Sequence, residues 1–221
     1  MTTTRPSPDE DSASLARREQ IRDAARAAIE EHGPDALTGQ IAKRAGLARP
    51  NVYRHFSSKD DLDLAVARSA YQELRAEVRS RLDLCSTPLE AIRAPIAAQV
   101  IWADRHQNLY RFLVSRGRQR NSQRRVERSD FTVELAAAVS RYFPRFAEDP
   151  DAAEATVVAV IGLVNASVLW WLSQPVCTRD QLIDRLTAHA WLIIDNHLRE
   201  IGVYVDPLSP LPQDQPIEGS R

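Results

Sequence analysis

The side chains best suited to chemistry lie between Gly46 and Lys59, and the chemistry they suit is hydrogen bonding to a polyanion. Arg49, Asn51, Tyr53, Arg54, His55 and Lys59 follow in quick succession. Such side chains suit the backbone and the major groove of DNA. Gly46 can take the positive φ that a tight inter-helix turn needs. Pro50 fits the first turn of a helix, where its missing N–H costs nothing. Val52 and Phe56 lie four apart and make a thin apolar stripe, leaving the rest of the surface to hydrogen-bonding groups. A thin buried face and a polar exposed face are what a recognition helix requires. The flanks agree: Ile41 and Ala45 share one face of a short preceding helix, and Ser58 reaches Asp61 as a capping box for the next.

Other chemistries find little support. The chain has no HExxH, Gly-rich phosphate loop or GxSxG, and its five histidines are scattered at 32, 55, 106, 189 and 197. His189 and His197 lie eight apart on one helix, roughly on one face, without a nearby third ligand. The expectation is therefore a protein that is not an enzyme, with no cofactor and no metal. Cys85 and Cys177 are far apart and lack CxxC spacing, as idle thiols in a reducing cytoplasm would. Net charge is −1, which excludes a uniformly basic coat, but Lys and Arg outnumber Asp and Glu between Ser14 and Lys59.

Ile41-Ala42, Ala45-Gly46-Leu47, Val52-Tyr53, His55-Phe56, Lys59 and Leu62 together resemble the signature of the tetracycline-repressor (TetR) family of bacterial transcription regulators. The resemblance in motif covers about residues 33–66. It implies that Tyr53 and Lys59 contact phosphates, with Thr38 and Gln40 beside them. It further implies that Arg49, Pro50 and Asn51 face base edges, with Arg54 on the same exposed surface and His55 supporting the backbone contact. Two departures stand out. Thr38 to Ile41 is one residue shorter than usual and includes Gly39, which predicts a distorted first turn of the second helix. Ala48 stands where Ser or Thr usually caps the recognition helix, a loss worth about 1 kcal/mol.

The elements that must position these residues are helical. Few glycines and no alternating β-branched runs predict an all-α chain of about nine helices. Residues 1–13 read as a disordered leader, 14–60 as the helix-turn-helix domain, 61–201 as a ligand-binding and dimerisation body, and 202–221 as a Pro-rich extended tail. Helices are expected at about 14–32, 39–45, 49–55, 60–82, 88–103, 106–115, 122–142, 150–173 and 179–201. Thr87-Pro88-Leu89-Glu90, Asp149-Pro150 and Thr178 with Gln181 mark strong starts. Pro95 predicts a kink in the fifth helix.

The eighth helix is apolar nearly all round, and residues 155–172 barely reach bilayer length with Thr156, Asn165 and Ser167 inside. The reading is a buried interface helix and no membrane span. Gly162 and Ala166 would let two helices approach closely, and the family resemblance implies a homodimer through the eighth and ninth helices. It also implies an effector pocket in the body, for which Trp102, Tyr110, Phe131, Asn165 and Trp170 are the lining candidates. Arg111, Arg116, Arg118, Arg120, Arg124, Arg125 and Arg128 form a basic stretch. It reads either as a solvated loop or as a receiver for an anionic, amphipathic effector such as an acyl-CoA. The function expected is a cytoplasmic, ligand-responsive DNA-binding regulator, a repressor released from a pseudo-palindromic operator. The alternative is a helical interaction protein with a vestigial DNA-binding head.

Overall fold

Helices start where the chain supplies acceptors for the first free N–H groups, and this sets much of the element order. The computed structural model describes residues 8–82, 87–117, 132–137, 139–140 and 144–211. Among these, every regular element is helical. They are α1 (Pro8–His32), α2 (Thr38–Arg44), α3 (Arg49–Tyr53), α4 (Lys59–Leu82), α5 (Pro88–Arg105), α6 (Gln107–Gly117), α7 (132–137 and 139–140), a 3-10 turn (Pro144–Ala147), α8 (Pro150–Ser173) and α9 (Arg179–Glu200).

The caps read from the sequence are present. Thr87 Oγ1 accepts from Glu90 N at 3.2 Å, and Glu90 returns the bond to Thr87 N. Thr178 and Gln181 make the same reciprocal pair at the head of α9. Asp149 accepts from Ala152 N at 3.1 Å before Pro150. At α4 the box is displaced by one residue: Asp61 N donates to Ser58 Oγ, while the Asp61 carboxylate accepts from Ser57 N rather than Ser58 N. α1 begins at Pro8, six residues ahead of the expected start at Ser14, so residues 8–13 are helix and not leader.

The described residues fall into two compact units. One lies within Met1–Glu73 and Arg105–Gln119, the other within Leu74–Asp104 and Arg120–Arg221. The first is larger than a head ending at residue 60, because α4 as far as Glu73 and all of α6 belong to it. Its core is the α1 stripe of Ile21, Ala25, Ala28 and Ile29, packed with Ile41, Val52, Phe56, Leu62 and Val66, each at most 2% exposed. Polar ties hold α6 in this unit: Asn108 Nδ2 donates to Glu30 O at 2.9 Å, and His106 Nδ1 lies 2.7 Å from Glu30 Oε1.

The second unit is built on α8 and α9, with Phe146, Ala153, Val157, Ile194 and Leu198 forming one buried cluster. The segment after α9 does not run free as expected of a Pro-rich tail. Gly202 turns at φ 73°, Val203 and Val205 pack on that cluster, and Leu89 N donates to Pro207 O at 3.0 Å. Val203 and Val205 ahead of Pro207, and Leu211 after Pro210, give this stretch something to bury; residues 212–221 lie outside the described part. His189 and His197 do not share a face: His189 is exposed, while His197 is buried edge-on to Phe146 at 5.0 Å. Eight residues on an α-helix leave about 80° between side chains, enough to separate inside from outside.

Candidate nucleic-acid interface

The recognition helix is held by few residues. Gly46 takes φ 66°, a conformation that side chains rarely adopt, and Leu47 N donates back to Ala42 O at 2.9 Å to close the turn after α2. α3 then buries only Val52, with Phe56 completing the apolar stripe just beyond it. Ala48 stands at the N-cap in extended conformation and offers no side-chain acceptor, as its methyl group dictates. Two α1 side chains secure the pair of helices. Gln20 Nε2 donates to Ala45 O at 3.1 Å, and Arg18 donates to His55 O while its guanidinium sits 4.3 Å from the Phe56 ring centre. Sequence reading missed Arg18, because nothing local to residue 18 announces a carbonyl near residue 55.

With the inner face committed, Arg49, Pro50, Asn51 and Arg54 are all exposed, and His55 is half-buried. The side chains expected to meet phosphates gather at one end of this surface. Thr38, Gln40, Arg49, Tyr53 and Lys59 line an open concavity of about 640 Å³. Tyr53 is 39% exposed and its hydroxyl pairs with Thr38 Oγ1 at 3.2 Å. The Thr38 bond comes first in holding the Tyr53 phenol below its ordinary pKa, followed by a bond from Arg49. Thr38 itself is 6% exposed, so it orients the tyrosine from behind.

The expected distortion of α2 is absent. Gly39 sits inside a regular turn, and Leu37 N donates to Gln40 Oε1 at 2.7 Å in place of a side-chain N-cap. The missing residue is absorbed by starting the helix at Thr38. Gln40 therefore spends its carbonyl on capping and keeps only its amide N–H groups for an outside partner.

The same concavity includes Arg116, which comes from α6 and not from the helix-turn-helix. Asp63, 1% exposed, accepts from Lys59 Nζ and from Arg116 Nη2, each at 2.5 Å. The Lys59–Asp63 spacing of four on a helix is legible in sequence; the approach of Arg116 is not.

The residues expected to line an effector pocket fall in both units. Trp102, Asn165 and Trp170 belong to the second unit, Tyr110 to the first, and Phe131 lies outside the described residues. Trp102 and Tyr110 are buried. Asn165 Oδ1 accepts from Gln99 Nε2 at 2.8 Å, tying α8 to α5. Trp170 is 47% exposed; the inward tryptophan is Trp171, whose Nε1 donates to Cys177 O at 2.8 Å. Of the arginine stretch, Arg111 and Arg116 are described and both lie in the first unit, while Arg118, Arg120, Arg124, Arg125 and Arg128 lie outside the described residues.

Known proteins resemble this chain in sequence and in fold. Residues 21–66 match the family described as bacterial regulatory proteins, tetR family. Over 203 residues the chain is 25% identical to an uncharacterized HTH-type transcriptional regulator of Mycobacterium tuberculosis, spanning 91% of this chain and 86% of the relative. It is 28% identical over 159 residues to the HTH-type transcriptional activator FasR of Mycolicibacterium smegmatis, spanning 69% and 70% of the two chains. Its fold is similar to that of a tetR-family transcriptional regulator from Streptomyces coelicolor, with a TM-score of 0.63 at 20% identity over 85% of this chain and 86% of that one. It is also similar to the regulator FadR from Bacillus subtilis, solved in complex with stearoyl-CoA, with a TM-score of 0.58 at 18% identity over 80% and 97%. The turn at Gly46 and the helix it launches thus lie within a stretch, residues 21–66, that is the DNA-binding domain of a tetR-family bacterial regulatory protein.

Proposed function

We propose that this protein is a ligand-responsive transcriptional regulator that binds a pseudo-palindromic operator as a homodimer and leaves it when an effector occupies the body. The observation that carries the DNA reading is the division of α3: Val52 is 1% exposed, while Arg49, Pro50, Asn51 and Tyr53 all face outward. Arg49 and Asn51 read base edges; Tyr53 and Lys59, with Thr38 and Gln40 behind or beside them, hold the phosphate backbone. Arg54 and His55 extend that backbone contact.

Support for a dimer comes from α8. By length and composition this helix is apolar enough to cross a membrane, yet 28% of its most apolar window is buried within the protomer. Val158, Gly162, Ala166 and Trp170 are exposed at four-residue intervals, and Leu192 of α9 is 63% exposed. A second copy covering this stripe removes it from water, and Gly162 and Ala166 permit close approach of the two helices. Two-fold symmetry then sets two recognition helices about one turn of DNA apart, roughly 34–36 Å or a multiple of it.

The effector we infer is small, apolar or amphipathic, of the acyl-CoA type. The FadR relative's stearoyl-CoA complex and the apolar body support that class. Linkage runs along α4, a single helix that carries Lys59 near the DNA face and Leu74 and Val78 in the second unit's interior. A coupling of about 1–3 kcal/mol between the two sites is the usual size of such an effect. Cytoplasmic residence follows from this role.

The test is fluorescence anisotropy with a labelled duplex from the region upstream of its own gene and a random duplex of equal length, at physiological salt. Preference for the first, lost on adding a long-chain acyl-CoA, is the expected result. Equal affinity for both sequences refutes sequence-specific regulation and favours the alternative of an interaction protein with a vestigial head. A reporter driven by the same region separates repression from activation.

A further inference from the structure

Arg116 lies 57 positions beyond Lys59, yet both cations close on one carboxylate. Asp63 is 1% exposed and accepts from Lys59 Nζ through Oδ1 and from Arg116 Nη2 through Oδ2, each at 2.5 Å. Arg116 Nη1 also reaches Asp60 Oδ1 at 3.3 Å, a pair whose carboxylate is 87% exposed and so is weaker than the one with buried Asp63. The Arg116 guanidinium also sits 5.7 Å from the Phe112 ring centre on its own helix, and its side chain is 18% exposed. The exposed part of this group borders the same concavity as Tyr53, Thr38 and Arg49.

The charge arithmetic gives this arrangement a consequence. Lys59 and Asp63 alone sum to zero, so an incoming phosphate would meet a neutralised lysine. Arg116 gives the buried acceptor a second cation, so Lys59 no longer balances Asp63 alone. We propose that Arg116 is a positioning residue for the phosphate contact of Lys59: by sharing Asp63 it weakens that carboxylate's hold on Lys59 and leaves more of the lysine's charge for the DNA backbone. The proposal rests on the DNA-binding reading above and makes the seating of α6 a condition of it. If α6 withdraws Arg116, the full charge of the buried carboxylate falls on Lys59, which it already holds at 2.5 Å, and the phosphate seat loses one positive charge. A change reaching α6 can therefore weaken operator binding without moving the recognition helix.

The experiment measures affinity and salt slope by anisotropy, using the full-length protein with the upstream duplex and a random duplex. R116Q is expected to weaken binding to both sequences about tenfold, and to flatten log affinity against log salt by about one for each head. R116K keeps the charge and is expected to keep the slope. The decisive variant is D63N in the R116Q background, where neutralising the acceptor removes the need for compensation; affinity and slope should return to within about threefold of wild type. D63N alone should steepen the slope. If R116Q melts below the assay temperature, D63N alone decides, because a purely structural clamp predicts weaker binding there and charge compensation predicts stronger. Wild-type slope in R116Q, or no recovery in the double variant, overturns the proposal. Tyr53→Ala separates the two levels. If wild type itself does not bind duplex, the DNA reading fails; if Tyr53→Ala is impaired while R116Q is not, only the role of Arg116 fails.

Discussion

Replacing Tyr53 by phenylalanine removes one hydroxyl from the phosphate-facing end of α3 and leaves the ring in place. The structure sets the size of the effect. Tyr53 is 39% exposed, so the ring supplies little core packing, and its hydroxyl pairs with Thr38 at 3.2 Å. A hydrogen bond to an anionic phosphate oxygen is worth about 1.5–3 kcal/mol net. A dimer makes it twice, so binding weakens by about 3–6 kcal/mol, or roughly 10²- to 10⁴-fold in dissociation constant at about 1.4 kcal/mol per decade. Because tyrosine is neutral, the salt dependence should not change, whereas Lys59→Ala should flatten it by about 0.9 for each phosphate that is no longer neutralised. Thr38 is left with an unpaired buried hydroxyl, a cost of about 1 kcal/mol that Thr38→Val relieves. Anisotropy titrations across a salt series on the upstream and random duplexes give all these quantities, with thermal melting as the control for folding. Wild-type affinity in a folded Tyr53→Phe protein would refute the reasoning. So would a selective weakening on the upstream sequence, since a phosphate contact carries no base information.

Three further outcomes follow from the same geometry. DNA affinity should fall as pH rises toward the ordinary tyrosine pKa of about 10, beginning below it, because the Thr38 and Arg49 bonds favour the phenolate and a phenolate has no proton to donate; the decline, followed by anisotropy, should be blunted in Tyr53→Phe. Ala48→Ser should raise the melting temperature through about 1 kcal/mol of new capping, since Ala48 already has the extended N-cap backbone with φ −74° and ψ 145°. Gly162→Arg should be tolerated by the isolated protomer, because a Cβ there meets nothing within 4 Å, and leaving glycine gains helix propensity. Yet it should dissociate the dimer in analytical ultracentrifugation; an intact dimer would remove α8 from the interface.

How much could be read beforehand depended on whether the signal was local. The turn at Gly46, the Val52–Phe56 stripe and the caps at Thr87, Asp149 and Thr178 each involve residues within a few positions of one another, and all are present. Along α4, Leu62, Val66, Ala70, Leu74 and Val78 recur every four residues and all are buried. Local reasoning failed where two local signals compete. Gly39 and the short Thr38–Ile41 spacing suggested a broken turn, but the Gln40 side chain caps Leu37 and the helix starts one residue early.

An all-helical chain with a DNA-binding helix-turn-helix was legible along the chain, because caps, turns and amphipathic spacing act over distances of a few residues. Which distant groups meet was settled by packing. In α8, apolar on nearly every face, spacing cannot choose between Trp170 and Trp171, and packing turned the second inward to Cys177 O. Asn165 found Gln99 on α5, and Arg18 found His55 O, by the way whole helices pack. Arg116 shows this most plainly. In the sequence it is one of seven arginines in a basic stretch, and in the fold it shares one buried carboxylate with Lys59. Ion pairs between remote segments depend on how helices seat on one another, and no periodicity along the chain encodes that.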